Sequence, residues 1–136
     1  MRAFQKNIAG HDITMSKAWV VGYIPIWGTE RPTWEIVLSI DGNKPMGVMY
    51  HDMISNGKKM EWSDDDWLNC LQCILLDAFA YEYNPDEGEF LREFGYDEDN
   101  MAEGKSVYKL CRSIYEKLSK MVDMYELIAI RNAIED

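Results

Sequence analysis

The sequence predicts an α+β fold, a small antiparallel N-terminal β-sheet followed by a C-terminal cluster of three to four helices. Two patterns carry that prediction. Residues 34–40 alternate apolar and polar side chains with the period of a half-buried strand. Residues 67–79 repeat apolar side chains at helical spacing behind a run of N-terminal acids. Size and composition complete the frame. The chain has 136 residues, 47% hydrophobic and 28% charged, enough for one real core and ordinary for a globular protein. A disordered chain, a collagen-like repeat and a disulfide miniprotein are excluded. We expect a single domain over residues 1–136, β-rich over 1–60 and helical over 63–136, with no internal repeat.

In chain order, Lys17 to Tyr23 is rich in β-branched and aromatic residues and suits a strand. Pro25, Gly28 and Pro32 punctuate a loop. Trp34, Ile36, Leu38 and Ile40 then form one face of a strand, Asp41-Gly42-Asn43 is turn chemistry, and Lys44 to Tyr50 returns with Met46, Val48 and Tyr50 on one face. His51 to Lys59, with Asn56-Gly57, reads as a connection. Ser63-Asp64-Asp65-Asp66 resembles a capping box, and the acids suit the positive end of a helix of about 64–82. Its apolar positions are Trp67, Leu68, Leu71, Ile74, Leu75, Ala78 and Phe79. Asn84-Pro85-Asp86-Glu87 is a second start, with Pro expected at the first helical position, and Gly95 a stop. From about Glu103, Val107, Leu110, Cys111, Ile114, Leu118 and Met121 make another stripe, and Asp123 to Glu126 caps a last helix. Trp19, Trp34 and Trp67 fall on expected core faces.

Three cysteines leave one without a mate, which argues against a secreted disulfide framework and for the cytoplasm. The longest apolar run, Ala18 to Trp27, is too short to span a membrane, and no cleavage site follows it. The net charge of −10 argues against nucleic acid as a direct ligand. That charge is concentrated: residues 61–103 hold fourteen acids and one base, Arg92. Such a cluster is either a solvated face that aids solubility or a patch that attracts a basic partner.

Several site motifs fail on spacing. Cys70-Leu71-Gln72-Cys73 lies inside a helix rather than at its start, where the dipole would activate a thiol. A zinc site would need a second pair, and only Cys111 and two histidines remain. From Asp97, a calcium loop wants Gly and Glu where Ala102 and Tyr108 stand. His11-Asp12 and His51-Asp52 are each half of an acid–base pair with no nucleophile elbow or phosphate loop beside them. No enzyme activity, cofactor or metal is expected. Tyr81, Tyr83 and Tyr96 lie in or beside the acidic segment, either as interface anchors or as rim packing.

From Thr33 onward the chain resembles a family of small phage and prophage proteins. The resemblance rests on Trp34-Glu35-Ile36-Val37-Leu38-Ser39, on the run from Trp67 to Asp77, on Phe90-Leu91-Arg92-Glu93-Phe94-Gly95-Tyr96-Asp97, and on Tyr108 and Leu118. It covers about 90 residues and leaves out the first 32. Proteins of this genomic kind include inhibitors of host defence, anti-CRISPR and antirestriction proteins among them. The resemblance therefore implies a non-enzymatic, phage-encoded inhibitor of a bacterial nucleic-acid-processing defence complex, a CRISPR effector foremost. No binding residue carries over from it. From the residues themselves, the expected contact surface is Asp86, Glu87, Glu89, Glu93, Tyr96, Asp97, Glu98 and Asp99, whose carboxylates would compete with phosphates for a basic groove. The alternatives are a phage accessory module docking through an apolar helix face and, least, a metal-dependent enzyme.

Overall fold

The computed structural model describes residues 3–24, 29–50 and 61–135. Among the described residues four strands come first: β1 (Phe4–Ile8), β2 (His11–Ile24), β3 (Thr29–Ile40) and β4 (Met46–Tyr50). They form one antiparallel sheet in sequence order. Four helices follow: α1 (Asp64–Tyr83), α2 (Glu87–Glu93), α3 (Met101–Ser119) and α4 (Met124–Glu135). The α+β expectation holds.

Local chemistry sets each element. Ile8 pairs with His11 across Ala9-Gly10, a two-residue turn with φ of 51° and 83°. Both residues take the positive φ that a type I′ hairpin requires. Asp41 and Gly42 repeat this geometry at φ 54° and 73°, closed by the Asn43 N–H donating to the Ile40 carbonyl. The Ser63 hydroxyl accepts from the Asp66 N–H and the Asp66 carboxylate from the Ser63 N–H, a complete capping box that starts α1. Asp123 caps α4 by accepting from the Glu126 N–H.

The core lies between one face of the sheet and α1. Ile13 and Met15 of β2, Trp34, Ile36, Leu38 and Ile40 of β3, and Met46 and Val48 of β4 are buried. They join Leu71, Ile74, Leu75, Ala78 and Phe79 of α1, Ile114 and Leu118 of α3, and Leu127 and Ile130 of α4 in one cluster. At one end Lys17 is itself buried. Its ammonium lies 4.2 Å from the ring centres of both Trp34 and Trp62 and 5.9 Å from that of Trp67. Indole faces offset part of the cost of removing that charge from water.

Four expectations are corrected. Trp19 is 39% exposed, not core. It faces the same side as Ile13 and Met15 and lies edge-on to Trp34, its partner in the ladder, at 4.8 Å. Pro32 lies inside β3 rather than in a loop, opposite Val21. Pro85 precedes the N-cap of α2 instead of occupying its first turn, because the Asp86 carboxylate accepts from the Glu89 N–H and takes the cap. The N-terminal strand pair is longer than the 17–23 reading, since β1 and the first half of β2 carry mixed polar residues. The connection expected over 51–59, the tip at Pro25 and Gly28, and His51-Asp52 lie outside the described residues.

Candidate functional site

The acidic segment is built on α2 and the turn after it. Asp86 caps the helix, and Glu87 and Glu89 fill its first turn, where carboxylates favour the exposed N–H groups. The helix ends in a Schellman motif. The Tyr96 N–H donates to the Leu91 carbonyl, the Gly95 N–H to that of Arg92, and Gly95 sits at φ 77°. Gly95 is thus the stop its sequence position predicts. The next turn is held by its own side chains: the Asn100 side-chain oxygen accepts from the Asp97 N–H at 2.6 Å, and the Asp97 carboxylate from the Asp99 N–H at 2.9 Å.

The underside of this segment is anchored. Phe90 and Leu91 are buried, and Phe90 packs edge-on to Tyr108 at 5.2 Å. The Tyr108 hydroxyl donates to the Pro85 carbonyl, tying the start of α2 to α3. Gly104 of α3 allows the closest approach: a Cβ there would stand 2.6 Å from Tyr96 Cγ and 2.7 Å from Leu91 Cδ2.

This places the expected site residues in two groups. Asp86, Glu89, Glu93, Asp97, Glu98 and Asp99 are exposed and Glu87 is half-buried. Among the described residues none of these carboxylates is in an ion pair with a Lys, Arg or His side chain. Tyr96 belongs elsewhere. Its ring packs inward beside the Phe90–Tyr108–Cys111 cluster. Burial, with the Glu103 carboxylate nearby, holds its phenol above the ordinary value of 10. It is half-buried, with its ring packed against that cluster. Tyr81 likewise packs on Tyr108 and Tyr115, whereas Tyr83 is 63% exposed.

The cysteines lie within helices, as their spacing predicts. Cys70 is buried inside α1, Cys73 is half-buried and Cys111 is buried. Burial drives the Cys111 thiol far above its ordinary pKa, against a nucleophilic role. The apolar stripe of α1 is in the core. Among the described residues no group of three His, Cys, Asp or Glu side chains is arranged to hold a metal ion.

His11 does not pair with Asp12, whose carboxylate accepts instead from Asn7. The His11 ring bridges two distant carboxylates, Nδ1 to Asp41 at 2.6 Å and Nε2 to Glu126 at 2.8 Å. A neutral imidazole has one N–H and can satisfy only one of them, so the arrangement favours the imidazolium. The hydrogen bond to Asp41 comes first and that to Glu126 second in raising the His11 pKa above 6.5, and His11 in turn lowers that of Asp41. This latch ties both hairpin turns to α4. It was not foreseeable locally, because its members are 30 and 115 residues apart.

Among the described residues, no helix is long and apolar enough to cross a membrane. Comparison with family models, with curated proteins and with solved structures finds no match.

Proposed function

We propose that this protein is a non-enzymatic inhibitor of a host nucleic-acid-processing defence complex, phage-encoded as the sequence resemblance implies, with a CRISPR effector as the leading target. The acidic segment over 86–99 enters a basic groove and occupies the path of a nucleic-acid backbone. One observation carries the reading. The segment holds exposed carboxylates that no described cation neutralises, on a short helix fixed from beneath by Phe90, Leu91 and Tyr108. Charges spent on internal ion pairs would be screened from a partner, and charges on a loose loop would lose entropy on docking. These suffer neither loss.

The test is a purified, guide-loaded CRISPR effector assayed for DNA cleavage and for binding of this protein. The variant changes Glu89 and Glu93 to Gln and Asp97 and Asp99 to Asn. Asn keeps an oxygen for the Asp99 N–H that Asp97 now holds, and Asp86 is left alone because it caps α2. The wild type should inhibit cleavage, less so as salt shortens the Debye length below about 10 Å, and the variant should lose at least about tenfold in affinity. Unchanged binding at low salt with the fold intact overturns charge competition.

A further inference from the structure

We infer that the free edge of β2 pairs with the same edge of a second copy, joining two sheets through an antiparallel β2–β2 contact centred on Val21. This is independent of the acidic segment. β1 covers β2 only as far as the pair Phe4 with Met15, whereas β2 continues to Ile24. The hydrogen-bond parity of the ladder says which groups that leaves open. The Asp41 N–H donates to the Asp12 carbonyl, so the even residues of β2 turn their backbone groups to β3. The odd residues turn theirs to the β1 side. Beyond β1, the N–H and C=O groups of Trp19, Val21 and Tyr23 have no partner among the described residues.

The side chains of these same residues are also open, at 39%, 70% and 48% exposed. By alternation they lie on the same face of the sheet as Ile13 and Met15, which are buried. An edge strand left to solvent is ordinarily blunted by a charge, a proline or a bulge. From Ala18 to Ile24 there is no charge and no proline. The other edge of the same ribbon is blunted. Pro32, an even residue of β3, points its missing N–H away from β2 and lies beyond the last β4 pair, Trp34 with Tyr50.

The occupant follows from symmetry and charge. About a two-fold axis at Val21, Trp19 of one copy stands opposite Tyr23 of the other, and Val21 opposite Val21. In that register each facing pair exchanges both N–H···O=C bonds, so every open group is satisfied. The contact sets the same stretch of each copy against itself about a two-fold axis, so it is isologous and closes as a dimer. A chain of net charge −10 repels its own copies wherever acids face each other, and Ala18 to Ile24 is a stretch free of them.

Sedimentation equilibrium and residue-resolved hydrogen exchange test this on the full chain. The wild type should approach twice the single-chain mass as concentration rises. The amides of Trp19, Val21 and Tyr23 should gain protection over the same range, while those of Ala18, Val20 and Gly22, bonded to β3, stay protected throughout. Val21→Lys should return the mass to one chain. Exchange on the wild type needs no substitution, so the proposal stays testable if that variant folds poorly. A wild type of single-chain mass up to about 1 mM, or a dimer in which those three amides exchange freely, overturns it.

Discussion

Gly104→Ala probes the contact on which presentation of the acidic segment depends. On an open helix surface this change stabilises by about 1 kcal/mol, because Ala loses less backbone entropy than Gly. Here the new methyl would lie 2.6 Å from Tyr96 Cγ, 2.9 Å from Tyr96 Cβ and 2.7 Å from Leu91 Cδ2. The Leu91 methyl can rotate away. The root of the Tyr96 ring cannot, because the Tyr96 N–H is held by the Leu91 carbonyl in the Schellman motif. Overpacking of this kind costs about 1–3 kcal/mol. Set against the helix gain, the net is a destabilisation of about 1 kcal/mol, or roughly 4 °C in melting temperature for a domain of this size. Urea unfolding should show the loss with an unchanged m-value. The Tyr96 phenol, released from its packing, should titrate closer to 10 than it does in the wild type. A variant stabilised by about 1 kcal/mol, with Tyr96 titrating as before, would refute a tight seat for α2 on α3.

Two further outcomes check the core and the latch. Leu71→Ala, at a fully buried position on α1, should cost about 2–5 kcal/mol, and a loss below about 0.5 kcal/mol would put that face on the surface. Because folding raises the His11 pKa above 6.5, the latch stabilises fully below about pH 6.5 and loses that contribution as pH rises through the raised value; the stability gap between the wild type and His11→Gln should therefore close on raising pH from 6 towards 9, and a gap that widens refutes the latch.

Much of the helical half was legible because its signals are local. The capping box, the stripe from Trp67 to Phe79 and the Gly95 stop each act over a few residues, and the structure keeps all three. The Pro85 misplacement shows the limit. Two start signals stood side by side, and the one whose side chain could reach the Glu89 N–H prevailed. β1 was missed because Gln5, Lys6 and Asn7 interrupt its apolar ends and Ala9-Gly10 lacks the Asn-Gly signature of a tight hairpin. Trp19 was misjudged for a different reason. Alternation tells which face a side chain takes, but not whether another element covers it there. Lys17 reads as surface in any local window, and its place among Trp34, Trp62 and Trp67 comes from three separate parts of the chain. The candidate segment was legible as charge. Its division into exposed carboxylates and an inward Tyr96 required the packing against Gly104.

The placement of the acids on α2 bears on whether they serve more than solubility. Asp86, Glu87 and Glu89 sit where the helix N-terminus welcomes them. Glu93 does not. It ends the helix, where the dipole opposes a carboxylate, and it lies four residues after Glu89, a like-charge spacing that destabilises a helix by about 0.2–0.5 kcal/mol. Asp97, Glu98 and Asp99 follow without a described cation beside them. Solubility alone is satisfied by charges dispersed over a surface, and dispersal would avoid this cost. A surface kept for a basic partner carries the cost as a trade of stability for encounter. The neutralised variant of Glu89, Glu93, Asp97 and Asp99 should therefore melt at the same temperature as the wild type or slightly above it, while binding more weakly. If it instead melts well below the wild type, these carboxylates stabilise the fold through local contacts, and their crowding needs no partner to explain it.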